Sequence, residues 1–114
     1  MKSIVLLAVT LFVTVLSAQA NATRCEFLEA KIVDIHEWYD GHIFIKFNKT
    51  DPNCPCVTNV RLAFHKDDNE DFFTSASLAA LLSGATVDAR GVDSEDCSIH
   101  GNTQRLDLLR VYAQ

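Results

Sequence analysis

The sequence predicts a small, mainly β domain in which five strands and one helix follow the order β-β-β-α-β-β. Residues 71–84 carry apolar side chains at helical spacing and end at Gly84, where a left-handed cap is expected. Three segments before this helix and two after it show the apolar spacing of strands. Both prolines and most other turn-forming residues collect between those segments, which separates the predicted elements.

The first 20 residues predict a secretory signal peptide. Lys2 precedes a short apolar run, and residues 17–20 supply the small side chains that a signal peptidase reads. The run is shorter than the roughly 20 apolar residues that cross a bilayer. We therefore expect an exported protein, periplasmic or secreted, with one domain over residues 21–114 and no membrane span after cleavage.

The charge balance argues against nucleic acid as a partner. The chain has 10 Lys and Arg against 15 Asp and Glu, which gives a formal net charge of −5. Phosphate binding needs a concentrated basic face, whereas the basic residues here are scattered singly among acids. We expect no nucleic-acid ligand.

The first two strands predict a hairpin. Apolar positions change parity between Ile32 and Val33, which indicates a bulge in the first strand. Asp40-Gly41 is a strong turn signal, and the second strand follows over residues 42–48. Its core-facing residues are Ile43, Ile45 and Phe47. Phe44 is expected to point away from the core, toward an interface or a ligand, although packing under the strand-three loop would explain it equally well.

The other strands complete the predicted order. Residues 57–65 predict a third strand that points Val60, Leu62 and Phe64 inward. Residues 85–92 predict a fourth strand, with Val87 and Ala89 inward, and residues 105–112 predict a fifth. An acidic surface loop, residues 93–102, is expected between these last two strands.

Five short strands expose their edges unless the sheet closes on itself, and a helix can then plug one end. The predicted fold is therefore the five-stranded Greek-key barrel called the OB-fold, with one helix between strands three and four. An α+β sandwich of another topology is the alternative.

The four cysteines predict two disulfides, because an even number in a small exported domain forms a disulfide framework. Cys54-Pro55-Cys56 lacks the C-x-x-C spacing of a zinc site. A bridge between Cys54 and Cys56 would be strained, so each is expected to pair with Cys25 or Cys97, in an order that spacing leaves open. Each bridge should contribute about 2–4 kcal/mol to stability.

A resemblance adds to this reading. Four features form a pattern: the segment of residues 78–87, Cys97 after it, a terminal strand that ends in Arg110-Val111-Tyr112, and a cysteine before the third strand. It resembles small exported bacterial proteins with the fold of toxin B subunits, notably the subtilase-cytotoxin and pertussis-like groups. The resemblance implies an OB-fold, assembly of copies into a pentamer and binding of cell-surface glycans. It also implies a disulfide from the loop before strand three to the segment after strand four, which favours Cys56–Cys97 with Cys25–Cys54.

The candidate ligand surface lies at the first hairpin, because OB-folds bind through strands two and three and the adjoining loops. Aromatic faces stack on sugar rings while polar neighbours bind the hydroxyls. The candidate glycan-binding residues are Trp38, Tyr39, Asp40, His42 and Phe44. Alternatively, Trp38 caps the end of the barrel and Tyr39 packs on the hairpin.

Catalysis and metal binding are not expected. The sequence has no G-x-S-x-G motif, and the cysteines are expected to be oxidised. His36 and His42 flank the hairpin, but such pairs on a strand surface are usually incidental, so we expect no metal and no cofactor. The sequence thus predicts a non-enzymatic binding module, with a monomeric periplasmic scaffold for protein interactions as the alternative.

Overall fold

The computed structural model describes residues 24–68 and 71–113, where the predicted order β-β-β-α-β-β is confirmed. The strands are β1 (Glu26–Glu37), β2 (His42–Phe47), β3 (Arg61–His65), β4 (Thr86–Gly91) and β5 (Gln104–Val111). The helix, α1, spans Asp71–Ser83 between β3 and β4. The predicted signal peptide, residues 1–20, lies outside the described residues. Within them, no helix is long and apolar enough to cross a membrane.

The five strands form one sheet that closes on itself. Its strand order is β1-β2-β3-β5-β4, and β4 pairs back onto β1. The β3 and β5 strands run parallel, while each of the other pairs is antiparallel. Strand β1 is therefore shared by both edges of the closure: it pairs with β4 through its first half and with β2 through its second.

Two register shifts bend β1 so that it can serve both neighbours. The predicted bulge is confirmed between Ile32 and Asp34. A second shift, between Phe27 and Ala30, was not expected, and it contains Glu29 at φ 50°. This second bulge places Phe27 in the core, and Leu28 is exposed.

The second bulge is held by a carboxylate on β4. Asp88 accepts the Glu29 backbone N–H at 2.8 Å, and it also accepts the Tyr112 hydroxyl. These bonds hold the pKa of Asp88 below its usual value of 3.8, and the bond from the Tyr112 hydroxyl has the largest effect. The same bond raises the pKa of Tyr112, so its hydroxyl remains a donor.

The core lies inside the closed sheet. Most of the inward positions predicted from strand alternation are buried there: Ile45, Phe47, Leu62, Phe64, Val87 and Ala89. The third strand begins at Arg61 and not at residue 57, because Thr58 and Asn59 bond to loops: the Thr58 N–H donates to the Asn102 carbonyl at 3.2 Å, and the Asn59 carbonyl accepts the Asp51 N–H at 3.0 Å. Val57 is 89% exposed, so it contributes nothing to the core.

Helix α1 covers the core with one narrow stripe. Its buried residues are Phe73, Ser77 and Ala80. The predicted cap is confirmed: Gly84 has φ 71° and donates its N–H to the Ala80 carbonyl at 2.9 Å. Phe72 remains 62% exposed, so the helix leaves much of its apolar surface outside the core.

Two disulfides hold the loop between β2 and β3. Cys54 pairs with Cys25 next to the start of β1, and Cys56 pairs with Cys97 in the segment after β4. This is the pairing that the resemblance favoured. The loop is thus tied to both β1 and the β4–β5 connection, which limits the freedom of three segments at once.

We predict that Tyr112→Phe destabilises the protein at neutral pH and raises the pKa of Asp88 toward 3.8. A depressed carboxyl pKa contributes stability above the unfolded value, and that stability is lost as the pH falls through the folded pKa. Urea unfolding should therefore separate variant and wild type at neutral pH, with a difference that shrinks well below pH 3.8. Tyr39→Phe, at a side chain that is 95% exposed, is the control. An equal loss at both pH values would contradict the prediction.

Candidate functional site

The connection between β1 and β2 is a tight turn, residues 38–41, called here the β1–β2 turn. Gly41 donates its N–H to the Trp38 carbonyl, and Trp38 donates to the His42 carbonyl, both at 2.9 Å. Gly41 has φ 91°, and a Cβ there would lie 2.7 Å from His65 Nε2. Only glycine meets both conditions, so the predicted Asp40-Gly41 turn is required by backbone and packing together.

A second turn, residues 99–102, lies at the end of the loop between β4 and β5. Asn102 donates its N–H to the Ile99 carbonyl at 3.2 Å, and the two central residues, His100 and Gly101, have φ 55° and 71°. Positive φ at both central positions is the type I′ arrangement, which suits hairpins. The turn projects the His100 ring toward the β1–β2 turn.

Phe44 holds this second turn on the outer face of the sheet. Phe44 is fully buried with Ala63 and Ile99, in a cluster separate from the main core. The His100 ring lies 5.0 Å from the Phe44 ring, measured between centroids. The prediction that Phe44 faces away from the core is confirmed. Phe44 is covered by the chain's own β4–β5 loop, however, so it offers no accessible surface to a ligand in this structure.

Arg61 ties the same loop to β3. Its Nε donates to Thr103 Oγ1 at 2.9 Å, and its Nη2 donates to Asn102 Oδ1 at 3.0 Å. Its Cζ lies 4.3 Å from the centroid of the Phe44 ring, a cation–π contact. Burial lowers the pKa of Arg61, but a guanidinium remains charged. The loop is therefore held by packing and by directed hydrogen bonds.

The two turns meet at Asp40. His100 Nε2 lies 2.7 Å from Asp40 Oδ2. The His42 N–H donates to Asp40 Oδ1 at 3.0 Å, and His65 Nε2 contacts the Asp40 carbonyl at 2.9 Å. Since the Asp67 N–H donates to His65 Nδ1 at 3.1 Å, the proton of His65 belongs on Nε2, which then donates to Asp40.

This environment keeps Asp40 ionised. The backbone N–H of His42, then the side chains of His100 and His42, hold the pKa of Asp40 well below its usual range. His42 Nδ1 lies 3.0 Å from Asp40 Oδ2. It is buried but not aligned for a hydrogen bond. The site therefore combines a fixed carboxylate with two imidazoles.

Two aromatic rings flank this carboxylate. Tyr39 is 95% exposed and Trp38 is 41% exposed. Their ring centroids lie 5.1 Å apart in an edge-on arrangement, and the Trp38 ring lies 5.8 Å from that of His100. Trp38 thus lies beside the second turn, whereas Tyr39 projects into solvent.

The structure brings together four of the five residues proposed from sequence, and it adds His100. Trp38, Tyr39, Asp40 and His42 lie at the β1–β2 turn, while Phe44 lies beneath the β4–β5 loop. His100 belongs to the segment that was predicted to be an acidic surface loop, residues 93–102. The dipeptide His100-Gly101 between Ile99 and Thr103 was a local turn signal, but nothing local could show that this turn meets Asp40, 60 positions earlier.

A separate apolar surface lies between α1 and the β4–β5 pair. It is a groove of about 590 Å³, called here the helix groove, and its apolar lining includes Phe72, Ala76, Ala79, Leu108 and Val111. Asp88, Arg90 and Arg110 also line it. The helix groove shares no lining residue with the β1–β2 turn, so the chain has two distinct candidate surfaces.

Comparison with known proteins gives no relative. No protein-family model, curated protein or solved structure matches the chain.

We predict that Phe44→Ala destabilises the protein by about 3–5 kcal/mol, because the loss of a fully buried ring leaves a cavity. Urea unfolding measures this loss. The control is Val57→Ala, which trims an apolar side chain that is 89% exposed and should change stability by about 0.5 kcal/mol or less. Similar losses in both variants would show that the β4–β5 loop does not bury Phe44.

Proposed function

We propose that the mature chain is an exported, non-enzymatic OB-fold domain that binds a cell-surface glycan at the β1–β2 turn. The closed strand order β1-β2-β3-β5-β4, with α1 between β3 and β4, supports the OB-fold assignment. Two disulfides support an exported protein, since oxidising compartments maintain them.

The position of the site supports a binding role. OB-folds bind ligands through the β1–β2 and β4–β5 loops and the face of strands two and three. Here those two loops touch, with His100 Nε2 2.7 Å from Asp40 Oδ2. The β4–β5 loop covers the part of the β2–β3 face around Phe44 and Ala63, while the junction of the loops remains accessible.

The observation that carries the proposal is the exposure of Tyr39. Its side chain is 95% exposed at the tip of the turn, so hairpin packing does not account for it. The ionised Asp40 follows it directly. An aromatic face can stack on the apolar side of a sugar ring while a carboxylate accepts hydrogen bonds from its hydroxyls.

A second candidate function rests on the helix groove. Three large apolar side chains that line it are more than a third exposed: Phe72, Leu108 and Val111. An exposed apolar surface of this kind is typical of protein contacts. It suits either neighbouring copies of the chain in a pentamer or, in a monomeric scaffold, a periplasmic protein partner.

We predict that Tyr39→Ala lowers glycan binding about tenfold, because the stacking of one aromatic face is worth about 1–2 kcal/mol. A glycan array identifies the ligand, and titration of that glycan gives the affinity. Trp38→Ala should weaken binding as well. Val57→Ala, at an apolar side chain that is 89% exposed and lies outside both candidate surfaces, is the control and should bind normally. A blank array with folded wild-type protein would contradict the glycan proposal.

We predict that the oxidised mature chain forms a pentamer through the helix groove. Light scattering after size exclusion measures the mass of the assembly. Phe72→Asp should reduce it to a monomer, because a charge would be buried in the contact, while Tyr39→Ala should leave it unchanged. A wild-type monomer at all concentrations would contradict self-assembly and favour the scaffold with a separate protein partner.

A further inference from the structure

Three possible metal ligands meet where the two turns touch. Asp40 Oδ2, His42 Nδ1 and His100 Nε2 all lie within 4.8 Å of one another. They come from the β1–β2 turn, the start of β2 and the β4–β5 loop. We propose that these three residues bind a divalent metal ion of the Zn²⁺ type, and Zn²⁺ is the ion used in the test below.

The spacing of the donor atoms suits a shared ion. Asp40 Oδ2 is 3.0 Å from His42 Nδ1 and 2.7 Å from His100 Nε2. Ligands of tetrahedral zinc, with bonds of about 2.0–2.2 Å, lie about 3.3 Å apart. These two pairs therefore need to separate by only about 0.3–0.6 Å to admit the ion, and the two nitrogens lie within 4.8 Å of each other. The ion would take the place of the hydrogen bond between Asp40 and His100: neutral His100 would carry its proton on Nδ1, which leaves the lone pair of Nε2 free to coordinate.

His42 provides a second, independent observation. Its Nδ1 atom is buried and has no hydrogen-bond partner, although Asp40 Oδ2 is close to it. A buried imidazole nitrogen without a partner costs free energy that a metal bond would recover. The orphaned nitrogen lies 3.0 Å from the same carboxylate oxygen that contacts His100.

The carboxylate is already held in place for this role. Asp40 Oδ1 accepts the His42 N–H, so Oδ2 is the oxygen left to face the two rings. His65 supports the turn from behind through the Asp40 carbonyl. Such outer contacts fix ligand orientation in metal sites, and they limit the rearrangement that metal binding requires.

The donor set determines the class of metal. Two imidazole nitrogens and one carboxylate oxygen suit Zn²⁺ and its transition-metal neighbours, whereas Ca²⁺ and Mg²⁺ prefer oxygen ligands. Cys25, Cys54 and Cys56 also lie close together, but all three are oxidised in disulfides and supply no thiolate.

Three protein ligands leave at least one coordination position for water or a ligand. The ion would also link the β1–β2 turn to the β4–β5 loop, which should raise thermal stability by mass action. Neither property depends on glycan binding, so the metal proposal and the proposed function can fail separately.

The test is Zn²⁺ titration of the protein expressed as the full chain, purified oxidised, without a polyhistidine tag and stripped with chelator. Calorimetry and native mass spectrometry should show one Zn²⁺ per chain, and Zn²⁺ but not Mg²⁺ should raise the melting temperature. His42→Asn and His100→Asn should each weaken binding by about tenfold or more. Asparagine is chosen at His100 because it tolerates the observed φ of 55°.

His36→Asn is the matched control. His36 belongs to the same hairpin and also contacts an aspartate, since its Nδ1 lies 2.8 Å from Asp34 Oδ2, but it is not part of the three-ligand cluster. This variant should bind Zn²⁺ like the wild type. The proposal is overturned if the wild type binds no Zn²⁺, if folded His42→Asn and His100→Asn bind it normally, or if His36→Asn loses as much affinity as they do.

Discussion

The burial of Phe44 on the outer face of the sheet is the interaction on which the candidate site depends. An aromatic side chain on that face would be exposed in a bare closed sheet. Covering it with Ile99 and His100 contributes about 1.5–3 kcal/mol, and the Arg61 guanidinium adds a cation–π contact. The β4–β5 loop is thereby fixed on β2 and β3. Its position brings His100 to Asp40, which no feature of the β1–β2 turn could do alone.

The closed sheet and the disulfides make this arrangement rigid enough to act as a site. Because the sheet is closed, each strand is paired on both sides, and the β1–β2 turn extends from a sheet with no free edge strand. Cys56–Cys97 then anchors the β4–β5 loop three residues before His100. A small domain has a limited core, and covalent links of this kind supply stability that packing alone cannot.

Local patterns predicted the helix and strands because strand alternation, helix caps and turn dipeptides each depend only on residues that are close together in the sequence. Val87 and Ala89 are buried as predicted, and Gly84 caps α1. The buried face of α1 was harder to predict, because the helix carries apolar residues on its exposed faces as well as on its buried one. Phe73 is buried and Phe72 is exposed, a choice made by docking on the sheet. Local sequence also could not show that His100 meets Asp40, since that contact follows from the packing of Phe44.

The most direct test of this account is amide hydrogen exchange of the second turn. Ile99 and Thr103 each donate an N–H to the other's carbonyl at 3.0 Å, in a loop that packing holds on the sheet. The account predicts that both amides exchange slowly, at rates like those of β2 and β3. Exchange of these two amides at the rate of an open chain, while β2 and β3 remain protected, would contradict it. The two turns would then not form one site.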